Sequence, residues 1–371
     1  MTSQDETFFM RRALALARKS LGHTRPNPAV GAVVVKGGKI VGEGRHVRCG
    51  RDHAEVAAMK NAVARHGGKI LAGATVYCTL EPCSRPGRVG ACCDALAAAG
   101  VARVVWACPD PNPKNANRAK RVLRKSGIAS ECWKGSRDHA KRACADEAAA
   151  IVAPFAKFVN QGLPFTTVKI AMSLDGRICD DSGDAKWISS AAARRETGRL
   201  RERVDVIMVG AETVRKDNPS LLSHGRKNPD LVRVVVTRAG NLPRKAQVFT
   251  DAARKRTVVL VVGRKSVPEK LAWCTQPGGI RAVIANKTLK GGMTVLAKSM
   301  YAMHVLCEGG LELARSLAAE GLVDEWLTVL APKVIGRAPV AKAVQAKIAK
   351  ARTRYVGGDA FVAAEFGKPG R

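Results

Sequence analysis

His53-Ala54-Glu55, then Glu81-Pro82-Cys83 and, after eight intervening residues, Cys92 make up the stretch whose reading decides the fold. One imidazole and two thiolates are a donor set that holds Zn²⁺ with its fourth position open. A carboxylate two residues beyond the histidine can shuttle protons there without ligating the metal. Attack on an amidine-like carbon needs hydroxide at neutral pH, and zinc supplies it by lowering the pKa of bound water to about 7. The pattern is that of a zinc-dependent deaminase acting on a nucleobase-like ring, with His53, Cys83 and Cys92 as ligands and Glu55 as the catalytic base. The competing reading is a closed zinc site or ordinary buried thiols. Cys93, beside Cys92, is an alternative ligand.

Working outward, the run Ala54 to Ala64 predicts a helix with His53 and Glu55 at its first turn, and Ala74 to Leu80 predicts the strand that delivers Pro82-Cys83. Before them come a helix from Phe8 to Lys19 and strands Val30 to Val35 and Ile40 to Glu43, joined by the turn Lys36-Gly37-Gly38-Lys39. After them come a helix from Cys92 to Ala99, a strand Val101 to Ala107, and a helix Asn117 to Ser126 stopped by Gly127. This alternation predicts a three-layer α/β sandwich. A helical stretch from Ala148 breaks at Asn160-Gln161-Gly162-Leu163-Pro164, which reads as the junction, and the domains are assigned as 1–150 and 151–371. Apolar runs at Phe165 to Met172, Val204 to Gly210, Leu231 to Thr237, Thr257 to Val262, Arg281 to Ala285, His304 to Glu308 and Glu325 to Leu330 predict a second α/β unit. It has no Gly-x-Gly-x-x-Gly after its first strand, so the usual dinucleotide fingerprint is absent.

At 371 residues the chain exceeds what one core usually serves, and 46% hydrophobic content allows two. No apolar stretch reaches the roughly eighteen to twenty residues that span a bilayer. The N-terminal region lacks a secretory hydrophobic segment, so a cytoplasmic protein is expected. Eleven cysteines fit reduced thiols and a metal site better than a disulfide framework. Cys49, Cys78, Cys108, Cys132, Cys144, Cys179, Cys274 and Cys307 lack a second ligand at diagnostic spacing and read as packing residues. Lys and Arg number 63 against 31 Asp and Glu, a net charge of +32 that first points to nucleic acid. The basic residues are scattered through both halves and aromatics make up 4%, so no stacking platform stands out. The expectation is a basic solvated surface that steers anionic substrates inward, with neither nucleic acid nor membrane as partner.

The long loop between Cys83 and Cys92 resembles that of the bifunctional deaminase/reductases of riboflavin biosynthesis. Further matches are Pro26-Asn27-Pro28-Ala29-Val30-Gly31, Val41-Gly42-Glu43-Gly44, Thr79-Leu80-Glu81-Pro82-Cys83, Asp110-Pro111-Asn112-Pro113, Lys169 to Gly176, Trp187-Ile188-Ser189, Gly210 to Pro219 and Glu308-Gly309-Gly310. They span nearly the whole chain in order. The resemblance implies a cytidine-deaminase-like sandwich followed by a dihydrofolate-reductase-like domain, with Zn²⁺ and NADPH as cofactors and a homo-oligomer formed through the reductase domain. The first activity would deaminate 2,5-diamino-6-(5-phosphoribosylamino)pyrimidin-4-one, and the second would reduce the ribosyl group of the product. It places Asn27, His46, Arg85, Arg88, Arg201, Leu221, His224 and Glu308 at substrate positions. Ala171, Trp187, Thr213, Asp217, Thr237, Gly310 and Leu311 fall at NADPH positions, the stretch Gly310 to Ser316 opening a helix whose amides can receive phosphate.

The chain also departs from the family pattern. Arg85 stands where histidine is common, and Val89-Gly90-Ala91 replaces Thr-Pro-Pro. Asn117 and Ala119 replace paired glycines, while Ala185, Leu222 and His224 replace serine, threonine and arginine. Two alternatives stay open: a deaminase with a degenerate reductase half, and a basic nucleic-acid-binding deaminase-like protein.

Overall fold

The computed structural model describes residues 3–86, 90–179, 188–223, 228–336 and 348–366, and the chain divides into two compact units, Met1–Gly162 and Leu163–Arg371. Arg88, Val89, Ala185, Trp187 and His224 lie outside the described residues. Residue 150 is interior to the helix His139–Gln161, so the units part at Gly162/Leu163 and not at 150/151. That helix is capped by Asp138, whose side chain accepts from Ala140 N and Lys141 N; it runs on through Pro154 and stops where Gly162 turns left-handed at φ 66°.

The first unit opens with α1 (Ser3–Arg18), β1 (Gly31–Lys36), β2 (Lys39–Arg45), α2 (Ala54–His66) and β3 (Thr75–Leu80). It continues with α3 (Cys92–Ala98), β4 (Arg103–Cys108), α4 (Ala119–Lys125), β5 (Ala129–Cys132) and α5 (His139–Gln161). Its sheet runs β2-β1-β3-β4-β5. β1 is antiparallel to both neighbours, whereas β3, β4 and β5 are parallel. Gly37 and Gly38, at φ 55° and 73°, make the two-residue hairpin turn between β1 and β2. Helices cover both faces of the sheet. A Cβ at Gly31 would lie 2.1 Å from Ala13 O of α1, and one at Gly44 would lie 2.2 Å from Ala58 N of α2. These glycines let helix backbones rest directly on the hairpin, which fixes the first turn of α2 against β2. β5 escapes sequence reading because Ala129-Ser130-Glu131-Cys132 is short and carries no apolar alternation.

The second unit contains β6 (Phe165–Ser173), α6 (Ala191–Arg201), β7 (Val206–Gly210), α7 (Ala211–Asp217), β8 (Val232–Thr237), α8 (Gln247–Thr250) and β9 (Thr257–Val262). After these come β10 (Ala282–Asn286), α9 (Leu289–Met300), β11 (His304–Cys307), α10 (Leu311–Ala319), β12 (Glu325–Ala331), β13 (Ile348–Val356) and β14 (Asp359–Phe366). The strand order is β10-β9-β8-β7-β11-β6-β12-β14-β13. Pairing is parallel from β10 through β12, and β14 and β13 close the edge antiparallel. Val232, Val234 and Val236 join one apolar cluster while Val235 joins another, so β8 is covered on both faces as a central parallel strand should be. In such a sheet ligands bind beyond the carboxyl ends of the strands, where Gly210, Thr237 and Glu308 stand. Among the described residues no helix is long and apolar enough to cross a membrane.

Candidate active sites

His53 precedes α2 in extended conformation (φ −69°, ψ 162°), which turns its ring back toward the loop after β3. Its Nδ1 lies 3.3 Å from Cys92 Sγ and 3.5 Å from Cys83 Sγ, and the three donor atoms lie within 4.8 Å of one another. Cys83 comes from the loop after β3 and Cys92 opens α3; the Cys92 N–H donates to Cys83 Sγ at 3.2 Å. A hydrogen bond from the Cys92 thiol pulls the Cys83 thiol down to about 4 against the cost of burial, with His53 adding to the shift. Both sulfurs are available as thiolate ligands, since cysteine binds a metal in its deprotonated form. The hydrogen bond to Cys83 raises the His53 imidazole. One nitrogen and two sulfurs converging from two helix starts and a strand end suit Zn²⁺ with one position left for water. Cys93 turns away: its thiol donates to Pro82 O at 3.8 Å, and burial pushes it up to about 12.

Glu55, in the first turn of α2, is 4% exposed. Burial, then the Cys83 thiolate, raises its carboxyl to about 7, so it can both take and return a proton near neutrality.

Asn27 and His46 lie beside this cluster. His46 is buried, with Nδ1 2.9 Å from Asp52 O, Nε2 3.1 Å from Asn27 Nδ2, and its ring edge-on to His53. Both ring nitrogens are thus engaged within the protein. Arg85 is exposed on the loop after Cys83. Asn117 has φ 59°, a left-handed backbone that Asn tolerates better than most residues, which explains how it replaces a glycine.

In the second unit Arg201, at the end of α6, grips Glu308 just past β11: Nε to Oε1 is 2.8 Å and Nη2 to Oε2 is 2.9 Å. Arg201 Nη1 also donates to Leu222 O at 3.0 Å. Lys169, half-buried in β6, was not singled out from the sequence. Burial lowers its ammonium while Glu308 opposes that shift, which places the lysine in the same electrostatic cluster. The available clue was a lysine set between Val168 and Ile170 inside an apolar run.

Gly309 brings the end of β11 against β7, a Cβ there meeting Gly210 N at 2.9 Å. Gly310 precedes α10, no side chain caps that helix, and Gly310 N lies 3.4 Å from Thr213 Oγ1. The first-turn amides, including that of Leu311, are arranged to accept an anion such as a dinucleotide phosphate. Ala171 lies in β6, opposite Val329 of β12, and Asp217 ends α7. Leu221 is 2% exposed in the core at φ 56°, and Thr237 Oγ1 accepts from Gly240 N. Among the remaining cysteines, Cys132 is exposed and Cys49 and Cys179 are half-buried, so close packing does not describe them; they sit at an edge strand and in loops.

A helix-covered sheet with an N/S/S donor set and a buried carboxyl defines a zinc-dependent deaminase unit, joined here to a mostly parallel reductase-like unit. Residues 3–108 match the cytidine and deoxycytidylate deaminase zinc-binding region, and residues 164–356 match the RibD C-terminal domain. The riboflavin biosynthesis protein RibD of Aquifex aeolicus is 35% identical over 331 residues, covering 88% of this chain and 87% of the relative. That of Escherichia coli is 35% identical over 346 residues, covering 90% and 89%. Among solved structures, the Thermotoga maritima diaminohydroxyphosphoribosylaminopyrimidine deaminase/5-amino-6-(5-phosphoribosylamino)uracil reductase superposes with a TM-score of 0.83 at 29% identity, over 98% of this chain and 99% of that one. Acinetobacter baumannii RibD gives 0.81 at 31% identity over the same shares. The chain belongs to the RibD family of bifunctional deaminase/reductases of riboflavin biosynthesis.

Proposed function

We propose that the first unit deaminates 2,5-diamino-6-(5-phosphoribosylamino)pyrimidin-4-one and that the second reduces the ribosyl group of the product to ribityl. The observation that carries this reading is the convergence of His53 Nδ1, Cys83 Sγ and Cys92 Sγ beside the buried carboxyl of Glu55. His53, Cys83 and Cys92 would hold Zn²⁺, which would supply a bound water whose pKa is lowered to about 7. Glu55 then moves the protons, from the attacking water to the ring nitrogen and on to the departing ammonia. Asn27 orients the pyrimidine, with His46 fixing the amide of Asn27, and Arg85 and Arg88 hold the anionic end of the substrate.

In the second unit NADPH supplies hydride when bound. Thr213, Gly310 and Leu311 hold the cofactor phosphates at the start of α10, while Ala171, Trp187, Asp217 and Thr237 complete its bed. Arg201 and Glu308 orient the sugar, Leu221 and His224 shape its phosphate end, and Lys169, half-buried in β6, supplies a cationic group beside it. The protein works in the cytoplasm as a homo-oligomer associating through the reductase unit, and its positive field draws in phosphorylated substrate and not nucleic acid.

The test supplies the diamino substrate with and without NADPH and follows ammonia release and nicotinamide absorbance separately. Ammonia without NADPH, and NADPH oxidation only after deamination, is the expected result. Ammonia with no NADPH oxidation would leave a deaminase alone. Neither signal would refute the reading.

A further inference from the structure

Glu81 immediately precedes Pro82-Cys83, yet it faces away from the donor cluster and into the loop after β4. Its carboxylate is 3% exposed and accepts three backbone N–H groups: Asp110 N at 3.1 Å and Asn117 N at 3.0 Å on Oε2, and Ala119 N at 3.0 Å on Oε1. The same loop returns to the other side of Cys83. Asn115 Oδ1 accepts from Ser84 N at 2.9 Å and from Ser84 Oγ at 3.2 Å, and Asn115 Nδ2 donates to Asp110 Oδ2 at 2.8 Å. The bonds close a ring that runs from Glu81 through Asp110 and Asn115 to Ser84. Cys83 lies between the two ends of that ring and contributes only its sulfur to the donor set.

We propose that Glu81 and Asn115 are positioning residues that lock the loop 110–119 onto both flanks of Cys83 and so set where its sulfur meets the metal. The proposal rests on the assignment of His53, Cys83 and Cys92 as zinc ligands. Cys83 is followed by Ser84 and the exposed Arg85 and Pro86; its carbonyl accepts from Cys93 N at 3.1 Å, and the ring adds a hold on the residues flanking it on both sides. The hydrogen bonds of Glu81 and Asn115 go to the loop and to Ser84 and not to the donor atoms, so both act through Cys83. The ring also gives Asn117 and Ala119 a function that depends on their backbone amides and not on their side chains.

The test uses full-length wild-type protein and the variants Glu81→Gln and Asn115→Ala. Zn²⁺ affinity is measured by competition with a chromophoric chelator, the Co²⁺-loaded forms are compared by visible spectroscopy, and metal-free melting temperatures are recorded. Replacing groups that orient ligands typically costs about 10–100-fold in metal affinity, and a loss in that range is expected for Glu81→Gln. Asn115→Ala keeps the ligands and should show a smaller loss with an altered Co²⁺ spectrum, so it still decides the matter if Glu81→Gln fails to fold. Unchanged Zn²⁺ affinity and Co²⁺ spectra in the folded variants, with only a lower melting temperature, would overturn the positioning role. Wild-type protein that takes up no Zn²⁺ would overturn the ligand assignment, and the proposal with it.

Discussion

Arg201 and Glu308 meet through two parallel hydrogen bonds, 2.8 and 2.9 Å long, although 107 residues separate them in sequence. Their side chains are 14% and 10% exposed, so the pair is largely withdrawn from water. Such pairs hold a guanidinium in one orientation, and removing one partner leaves the other charge uncompensated. Glu308→Gln should lower the reduction rate on the order of 100-fold, while ammonia release stays within twofold of wild type. Parallel assays of the two half-reactions check this; an equal loss in both would show that the pair serves only folding.

Removing the cationic partner has a different consequence. Arg201→Ala removes both guanidinium hydrogen bonds from the Glu308 carboxylate and frees the carbonyl of Leu222 from its donor. Breaking a buried pair on one side costs about 3–5 kcal/mol. Chemical denaturation monitored on both units should show the second transition moving to lower denaturant with the first unchanged.

Gly44→Ala tests how the hairpin places the base. A Cβ there would lie 2.2 Å from Ala58 N and 2.4 Å from Ala54 O, both helix backbone atoms that cannot step aside without moving α2. Overpacking of this kind costs about 1–3 kcal/mol. Because His53 and Glu55 start the same helix, the variant should lose both thermal stability and deaminase activity, with melting curves and ammonia assays as readouts. Full activity in a destabilised variant would mean that the helix start is held by other contacts.

His304 gives the second unit an acid sensitivity. Its ring packs edge-on to Phe165 with Nε2 3.0 Å from Thr167 Oγ1, and burial pushes its pKa down to about 4 from an ordinary 6.5. Between those values the unfolded chain binds the proton that the folded chain refuses, so stability is full above pH 6.5 and falls as the pH drops toward 4. The ceiling on the loss is about 3 kcal/mol. Urea unfolding of the wild type at pH 7.5 and 4.5, compared with His304→Gln, should show this contribution to the pH dependence disappear in the variant.

Much of this architecture was legible because burial writes a pattern. The runs that became β6 to β12 are apolar since each strand is covered on one or both faces, and Cys83 and Cys92 stood out because two thiols with a histidine are a zinc donor set. β13 left no such trace. Lys350, Arg352 and Arg354 alternate along an edge strand that is exposed on nearly every residue, so nothing forces an apolar side on it. Its partner β14 does alternate in burial, but over small residues such as Ala360, Ala363 and Ala364 that read as neither strand nor helix. The boundary set at residue 150 falls inside α5, which runs on through Pro154 to Gln161. The ring through Glu81 and Asn115 was invisible because backbone amides, which every residue carries, make most of its bonds.

The central claim is that His53, Cys83 and Cys92 hold a metal whose chemistry Glu55 completes. It is tested most directly by measuring zinc content and ammonia release together in the wild type and in Glu55→Gln. The account predicts one zinc per chain in both proteins and a fall in ammonia release of about 10²–10⁴-fold in the variant. Wild-type protein without stoichiometric zinc, or a metal-loaded Glu55→Gln variant that releases ammonia at the wild-type rate, would contradict it.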